Sequence, residues 1–300
     1  MKTQPEMVME RPQTLRAPGS AAHQVAGAGI KTILLHVHDD ESVTDRLQMA
    51  LSIARACSAH IHCLHVTPIE AFTIVDSFGG TFVNQQIINA FEEQASKLQR
   101  KIEDHLGLED VAWDYEEVTG ELLPHLVQSA ALADLVITGR EPTEREFGGP
   151  AVTLCGDLLA LIRAPLIVTG DAPAAFDPFG RALIAWNGSY EAANAIRASV
   201  PLLRMASHVE IVDFEEKEDR RFPSTKLLEY LSRHGISAVL SIQPEPLGGP
   251  EVGLADYAKS TAAGYIVMGA YGHSRAAEFL FGGVTRALLK ECPLALVMAH

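Results

Sequence analysis

The residues best suited to chemistry lie near the C-terminus, where glycines follow an apolar run at fixed spacing. Gly264–Met268 reads GYIVM; Gly269, Gly272 and the pair Gly282–Gly283 come after it, and Val284 and Thr285 open a helical pattern. Glycine lets backbone N–H groups approach a ligand closely, and a helix N-terminus favours negative charge. The combination reads as a phosphate cradle. His273, Ser274 and Arg275 stand inside the loop, where a hydroxyl and a guanidinium could donate to the same anion. The alternative is a solvated loop in which these side chains only hold the turn. No lysine follows the glycines, so the pattern is not GxxxxGK[ST], nor is it GxGxxG.

A second constellation is made of histidines. His36 and His38 share one face of a predicted strand, and His60 and His62 share one face of another. With Asp39 or Asp40 they would meet the needs of a metal ion. Alternation alone puts any two polar residues two apart on one face, so buried, hydrogen-bonded histidines explain the pattern equally, and no metal is assigned. Cys57, Cys63, Cys155 and Cys292 form no CxxC pair and read as buried reduced thiols. No GxSxG elbow is present to suggest a serine hydrolase, and no catalytic residue is assigned.

Composition narrows the classes. With 47% hydrophobic and 21% charged residues, the chain has enough apolar material for a proper core. A net charge of −14 argues against a nucleic-acid partner, because a phosphate backbone wants a basic face. An anionic guest must therefore be held by local amides and a few cations. No apolar run approaches the ~20 residues that span a bilayer, so no membrane partner is expected. Residues 1–29 lack the apolar centre of a secretory signal and are rich in Pro, Gly, Ala and Gln. They are expected to be a disordered tail, and the protein to be cytoplasmic.

Strand-like runs alternate with helical patterns throughout, the mark of a parallel sheet covered by helices. The order then recurs. TILLHVH (32–38) matches RALIAWN (181–187), HIHCLHV (60–66) matches HVEIVDF (208–214), DLVITG (134–139) matches GYIVMG (264–269), and APLIV (164–168) matches CPLAL (292–296). The first copy carries a longer segment after its second strand, in 69–107. The expected organisation is a tail (1–29), one five-stranded α/β domain (30–170), a linker (171–180) and a second such domain (181–300). In open parallel sheets, ligands sit beyond the carboxyl ends of the strands where strand order reverses. The glycine segment occupies that crossing in the second copy.

GAYGHSR…FGGVTR after a strand ending in Val-Met-Gly resembles the universal stress protein (UspA) family. The likeness extends to AWNGS (185–189), to His65–Val66 at the second strand's end, and to APLIV and CPLAL. Over 30–300 the chain resembles a tandem member of that family. The resemblance implies two Rossmann-like, adenine-nucleotide alpha-hydrolase-like domains, each of strand order 3-2-1-4-5. It further implies ATP or another adenine nucleotide as ligand, with Mg²⁺ if ATP, and a role in stress response or signalling. Carried over residue by residue, the site comprises Asn187, Gly188, Asp213, Phe214, Met268, Gly269, Gly272, His273, Ser274, Arg275, Gly282, Gly283, Val284 and Thr285. Two positions depart from the family: Gly283 stands where Ser or Thr is usual, and Asn187 where ATP-binding members have Asp. In the first copy Pro142 replaces the second glycine, His38 the aspartate, and Glu141, Glu144 and Glu146 surround Gly148 and Gly149. That half is expected not to bind a nucleotide. Members dimerise through their last strands, which implies an intramolecular pseudo-dimer here, with a homodimer of tandem chains also open. Two alternatives remain: an interaction module that binds no nucleotide, and a weak ATPase, against which counts the lack of an obvious general base or Mg²⁺ carboxylate in the loop.

Overall fold

The computed structural model describes residues 29–68, 73–75, 81–83, 85–140, 154–170, 176–214, 222–270 and 283–300. The first half runs β1 (Thr32–Val37), α1 (Val43–Cys57), β2 (His60–Pro68), β3 (Thr73–Val75), β4 (Thr81–Val83), α2 (Gln85–Leu106), β5 (Ala112–Gly120), α3 (Leu122–Ala130), β6 (Leu135–Thr138), α4 (Leu154–Leu161) and β7 (Leu166–Val168). The second half runs β8 (Arg181–Trp186), α5 (Tyr190–Leu203), β9 (His208–Phe214), α6 (Ser224–Arg233), β10 (Ala238–Gln243), α7 (Pro250–Ser260), β11 (Tyr265–Gly269), α8 (Gly283–Glu291) and β12 (Ala295–Ala299).

Ten strands form one sheet in the order β10-β9-β8-β11-β12-β7-β6-β1-β2-β5. Read inward from each outer edge, each half has the expected order 3-2-1-4-5, so the chain holds two Rossmann-like units. Pairing within each half is parallel; the two halves meet antiparallel, with Val168, Ile167 and Leu166 opposite Leu296, Val297 and Met298. The extra length of the first copy supplies the small β3–β4 hairpin and a longer helix, α2, of 22 residues against 10 in its counterpart α6.

Local chemistry explains these elements. β6, β7 and β11 are continuous apolar runs (LVIT, LIV, YIVMG) because helices cover both faces of the sheet. β5, at one edge, is mostly polar and half exposed. α5 starts at Ser189, whose side chain accepts the Ala192 N–H at 3.1 Å. Two apolar layers flank the sheet. One holds α1, α2, α5 and α6 and runs unbroken from Leu35, Ile53 and Ile102 of the first half to Ile184, Ile196 and Val297 of the second. The four cysteines are free and buried, as the spacing suggested, and burial pushes the Cys63 thiol up to about 12. Among the described residues no helix is long and apolar enough to cross a membrane.

Candidate functional site

Strand order reverses between β8 and β11 in the second half and between β1 and β6 in the first. These two crevices are where an α/β sheet of this kind takes a ligand.

In the second half, Asn187 and Gly188 form the turn after β8. Asn187 Oδ1 accepts the Ser189 N–H at 3.1 Å, and Gly188 adopts φ +71°. The side chain of Asn187 thus organises the turn that presents the α5 N-terminus. Gly269 ends β11 directly against that first turn. A Cβ on Gly269 would strike the backbone of Glu191 and Ala192, with Ala192 Cα only 2.8 Å away. The glycine admits a helix end to the strand end. Gly283 opens α8, and a Cβ there would meet nothing within 4 Å among the described residues. Val284 is half-buried, and Met268 and Thr285 are buried. Asp213 is buried to 1% exposure next to Trp186 in register, whereas Phe214 packs toward Gly253 of α7. The structure therefore brings Asn187, Gly188 and Gly269 together, with Asp213 one strand away. Gly272, His273, Ser274, Arg275 and Gly282 lie outside the described residues, as do the tail through residue 28, the first copy's segment 141–153 and residues 171–175 of the expected linker.

In the first half the same crevice is built differently. Arg46, 1% exposed, reaches from α1 beneath the β1 and β6 ends. Its Nη1 donates to both Asp40 carboxylate oxygens at 2.9 Å and to Ser42 Oγ, and its Nη2 to the His38 carbonyl at 3.0 Å. Gly139 lies over this ion pair; a Cβ there would press on the Arg46 guanidinium, whose carbon is 3.2 Å away. Burial works to raise the Asp40 pKa, but the hydrogen bond and charge of Arg46 outweigh it and hold the carboxyl below its usual range. The repeat equates Asp40 and Arg46 with Ser189 and Ala195, so the second half has no such ion pair at this place.

A cavity of about 950 Å³ opens at this first crevice. His36, His38 and Thr138 line it, with Asp40, Glu41 and Asp45 among its acidic groups and Lys290 of α8 on the opposite wall. Arg140, also in the lining, donates to the Cys292 carbonyl just after α8, tying the first half's crevice to a helix of the second. His36 is 7% exposed, and its Nδ1 lies 2.9 Å from Thr138 Oγ1. Burial first, then the charge of Arg46, lowers its pKa to about 3, so its imidazole is neutral.

The two histidine pairs do different things. His36 and His38 stack near the carboxyl ends of the strands, 6.1 Å between ring centroids. His60 and His62 both contact Asp114 of β5, and His62 Nε2 lies 3.1 Å from Glu116. Among the described residues no three His, Cys, Asp or Glu side chains are arranged to hold a metal ion. Arg46 escaped the sequence reading, although a signal existed. It occupies the core stripe of α1 with Val43, Leu47 and Ala50, at a position otherwise apolar.

No protein-family model matches this sequence, and no curated protein matches it. Solved structures do. A universal stress protein from Archaeoglobus fulgidus DSM 4304 superposes with a TM-score of 0.71 at 14% identity, covering 89% of this chain and 95% of that one. A functionally unknown protein from Pseudomonas aeruginosa PAO1 gives 0.55 at 14% identity over 92% and 94%. A candidate universal stress protein from P. aeruginosa UCBPP-PA14 gives 0.51 at 14% over 92% and 94%. Across both of its five-stranded units, this chain shares the fold of the universal stress proteins.

Proposed function

We propose that the chain is a tandem universal stress protein of the cytoplasm whose second unit holds an adenine nucleotide, ATP or a close relative, with Mg²⁺ if ATP. Binding, in a stress-response or signalling role, is its chemistry rather than turnover. The units are taken as 30–170 and 181–300, joined by 171–180.

The observation that carries this reading is the contrast between the two switch points. At the first, the carboxylates of Asp40, Glu41 and Asp45 are matched in the lining by Arg46, Arg140 and Lys290, and the buried Arg46 is already neutralised by Asp40. A polyphosphate there would have to compete with Asp40 for the Arg46 guanidinium. The second presents small residues at the same positions, the capped N-terminus of α5, and at the first turn of α8 Gly283, which no described residue crowds. Two helix N-termini and the glycine loop between β11 and α8 suit the negative charge of phosphates. Asn187 and Gly188 shape the turn beside them, and a glycine free of described neighbours at position 283 fits a group bound through main-chain nitrogens.

The test uses natively purified protein and mass spectrometry of bound nucleotide. Wild type should carry or take up an adenine nucleotide, and Gly283→Asp should lose it. A carboxylate at the first turn of α8 complements the helix dipole by about 0.3–1 kcal/mol, so the variant should melt no lower than wild type while repelling phosphate. Nucleotide retained by Gly283→Asp would overturn the assignment. Absence of any nucleotide, with no binding of added ATP, would favour an interaction module instead.

A further inference from the structure

The antiparallel β7–β12 pairing leaves β10 and β5 as the outer strands of the ten-stranded sheet. They are not alike. β5 reads AWDYEEVTG, and its Asp114 and Glu116 are half exposed and engaged with His60 and His62. Exposed charge is the ordinary protection of a strand edge against pairing with another chain. β10 reads AVLSIQ: it has no charged residue and no proline. Val239 is 52% exposed and Ile242 57%.

These two side chains point to opposite faces of the sheet. Ala238 and Leu240 pack against the layer that contains Leu227 and Leu231 of α6, and Ile242 follows them by alternation. Val239 points to the other face, where α7 lies with Leu254 and Ala258. What is uncovered is therefore the rim of the sheet on both sides. Its outer N–H and C=O groups come from a strand whose side chains offer no electrostatic barrier.

We propose that β10 is a self-association edge, where two copies of this chain pair antiparallel, β10 to β10, about a twofold axis through the sheet. Charge selects the second copy as occupant. With the register centred on Leu240, that residue meets its own counterpart, Ile242 meets Ala238, and Val239 meets Ser241, so no charged side chain opposes another across the seam. The same operation at β5, centred on Glu116, would set that carboxylate directly against its copy, with Asp114 two residues away on the same face. Pairing β10 with β5 is heterologous and would not close. It would also leave three residues of the nine-residue β5 without partners on the six-residue β10. Self-pairing of β10 closes after two chains and adds the partner's side chains over Val239 and Ile242.

Sedimentation equilibrium of the full chain tests this. Wild type at micromolar concentration should weigh twice 32.4 kDa, and Val239→Lys/Ile242→Lys should revert to a single chain with unchanged circular dichroism. Glu116→Lys on β5 should leave the dimer intact. Should the double variant fail to fold, amide exchange on wild type decides, because β10 amides must slow as protein concentration rises. A single chain at every concentration, a dimer that survives both lysines, or a mass growing without limit through β10–β5 contacts would each overturn the proposal.

Discussion

His36 shows how one side chain is set by its surroundings. It sits under the first crevice with Thr138 on one nitrogen and the Arg46 charge nearby, and its pKa falls from the ordinary 6.5 to about 3. The unfolded chain takes up this proton below 6.5, whereas the folded chain refuses it until about 3. The stability tied to a neutral His36 is therefore complete above 6.5 and lost progressively as pH falls through that interval. His65, lowered chiefly by burial, acts in the same direction. Replacing His36 by Gln should flatten the acid limb of stability measured as urea midpoint against pH. A limb unchanged by the substitution would place the acid sensitivity elsewhere. At this scale the sequence was partly legible. Alternation put His36 and His38 on one face, but nothing in a single string says that Arg46 neutralises Asp40 beneath them. Periodicity marks the Arg46 position as core, residue type marks it as surface, and only the fold shows that the guanidinium finds its acceptors inside.

Among the elements, the junction of β11 with α5 is the most constrained. Gly269 touches the first turn of α5 so closely that Gly269→Ala must push the helix away from the strand, at a cost of about 1–3 kcal/mol in chemical denaturation. Gly283→Ala, where no described residue lies within reach of the added methyl, should stay within about 0.5 kcal/mol of wild type. If the two cost the same, the close approach at Gly269 is not what holds the junction. The pair also shows why the glycine pattern is ambiguous. A glycine is required wherever something must come near the backbone, and the pattern alone does not say whether that neighbour is a ligand or a helix. At Gly269 it is a helix. Eight of the ten strands of the sheet were located because buried strands are continuous apolar runs bounded by turn residues, as in YIVMG and LIV; the edge strands β5 and β10, half exposed, carry no such run. The β3–β4 hairpin was not legible, since three-residue strands are too short to show a period.

For the molecule as a whole, the controlling fact is the continuity of the core across the β7–β12 seam. Cys57 Sγ of α1 lies 3.7 Å from Met205 Sδ of the second half, and one apolar layer contains helices of both. Two units that share a layer and a sheet should unfold together. Scanning calorimetry should give one transition whose calorimetric and van't Hoff enthalpies agree, and two resolved transitions would mean that the seam contributes little. The duplication was legible from recurring strands, and the family resemblance implied that the last strands of the two copies meet; the residues alone do not say so, because that contact joins positions 128 residues apart (Val168 with Leu296).

That union bears on how the two crevices could drift apart. Were this sheet assembled from two identical polypeptides, any change at one switch point would appear at its twin, and an arginine in one cleft would fill both. Covalent fusion frees each copy to mutate alone. Arg46 pairs with Asp40 in one cleft while Ala195 stands at the equivalent place in the other, and the shared backbone keeps the unequal partners in fixed proportion.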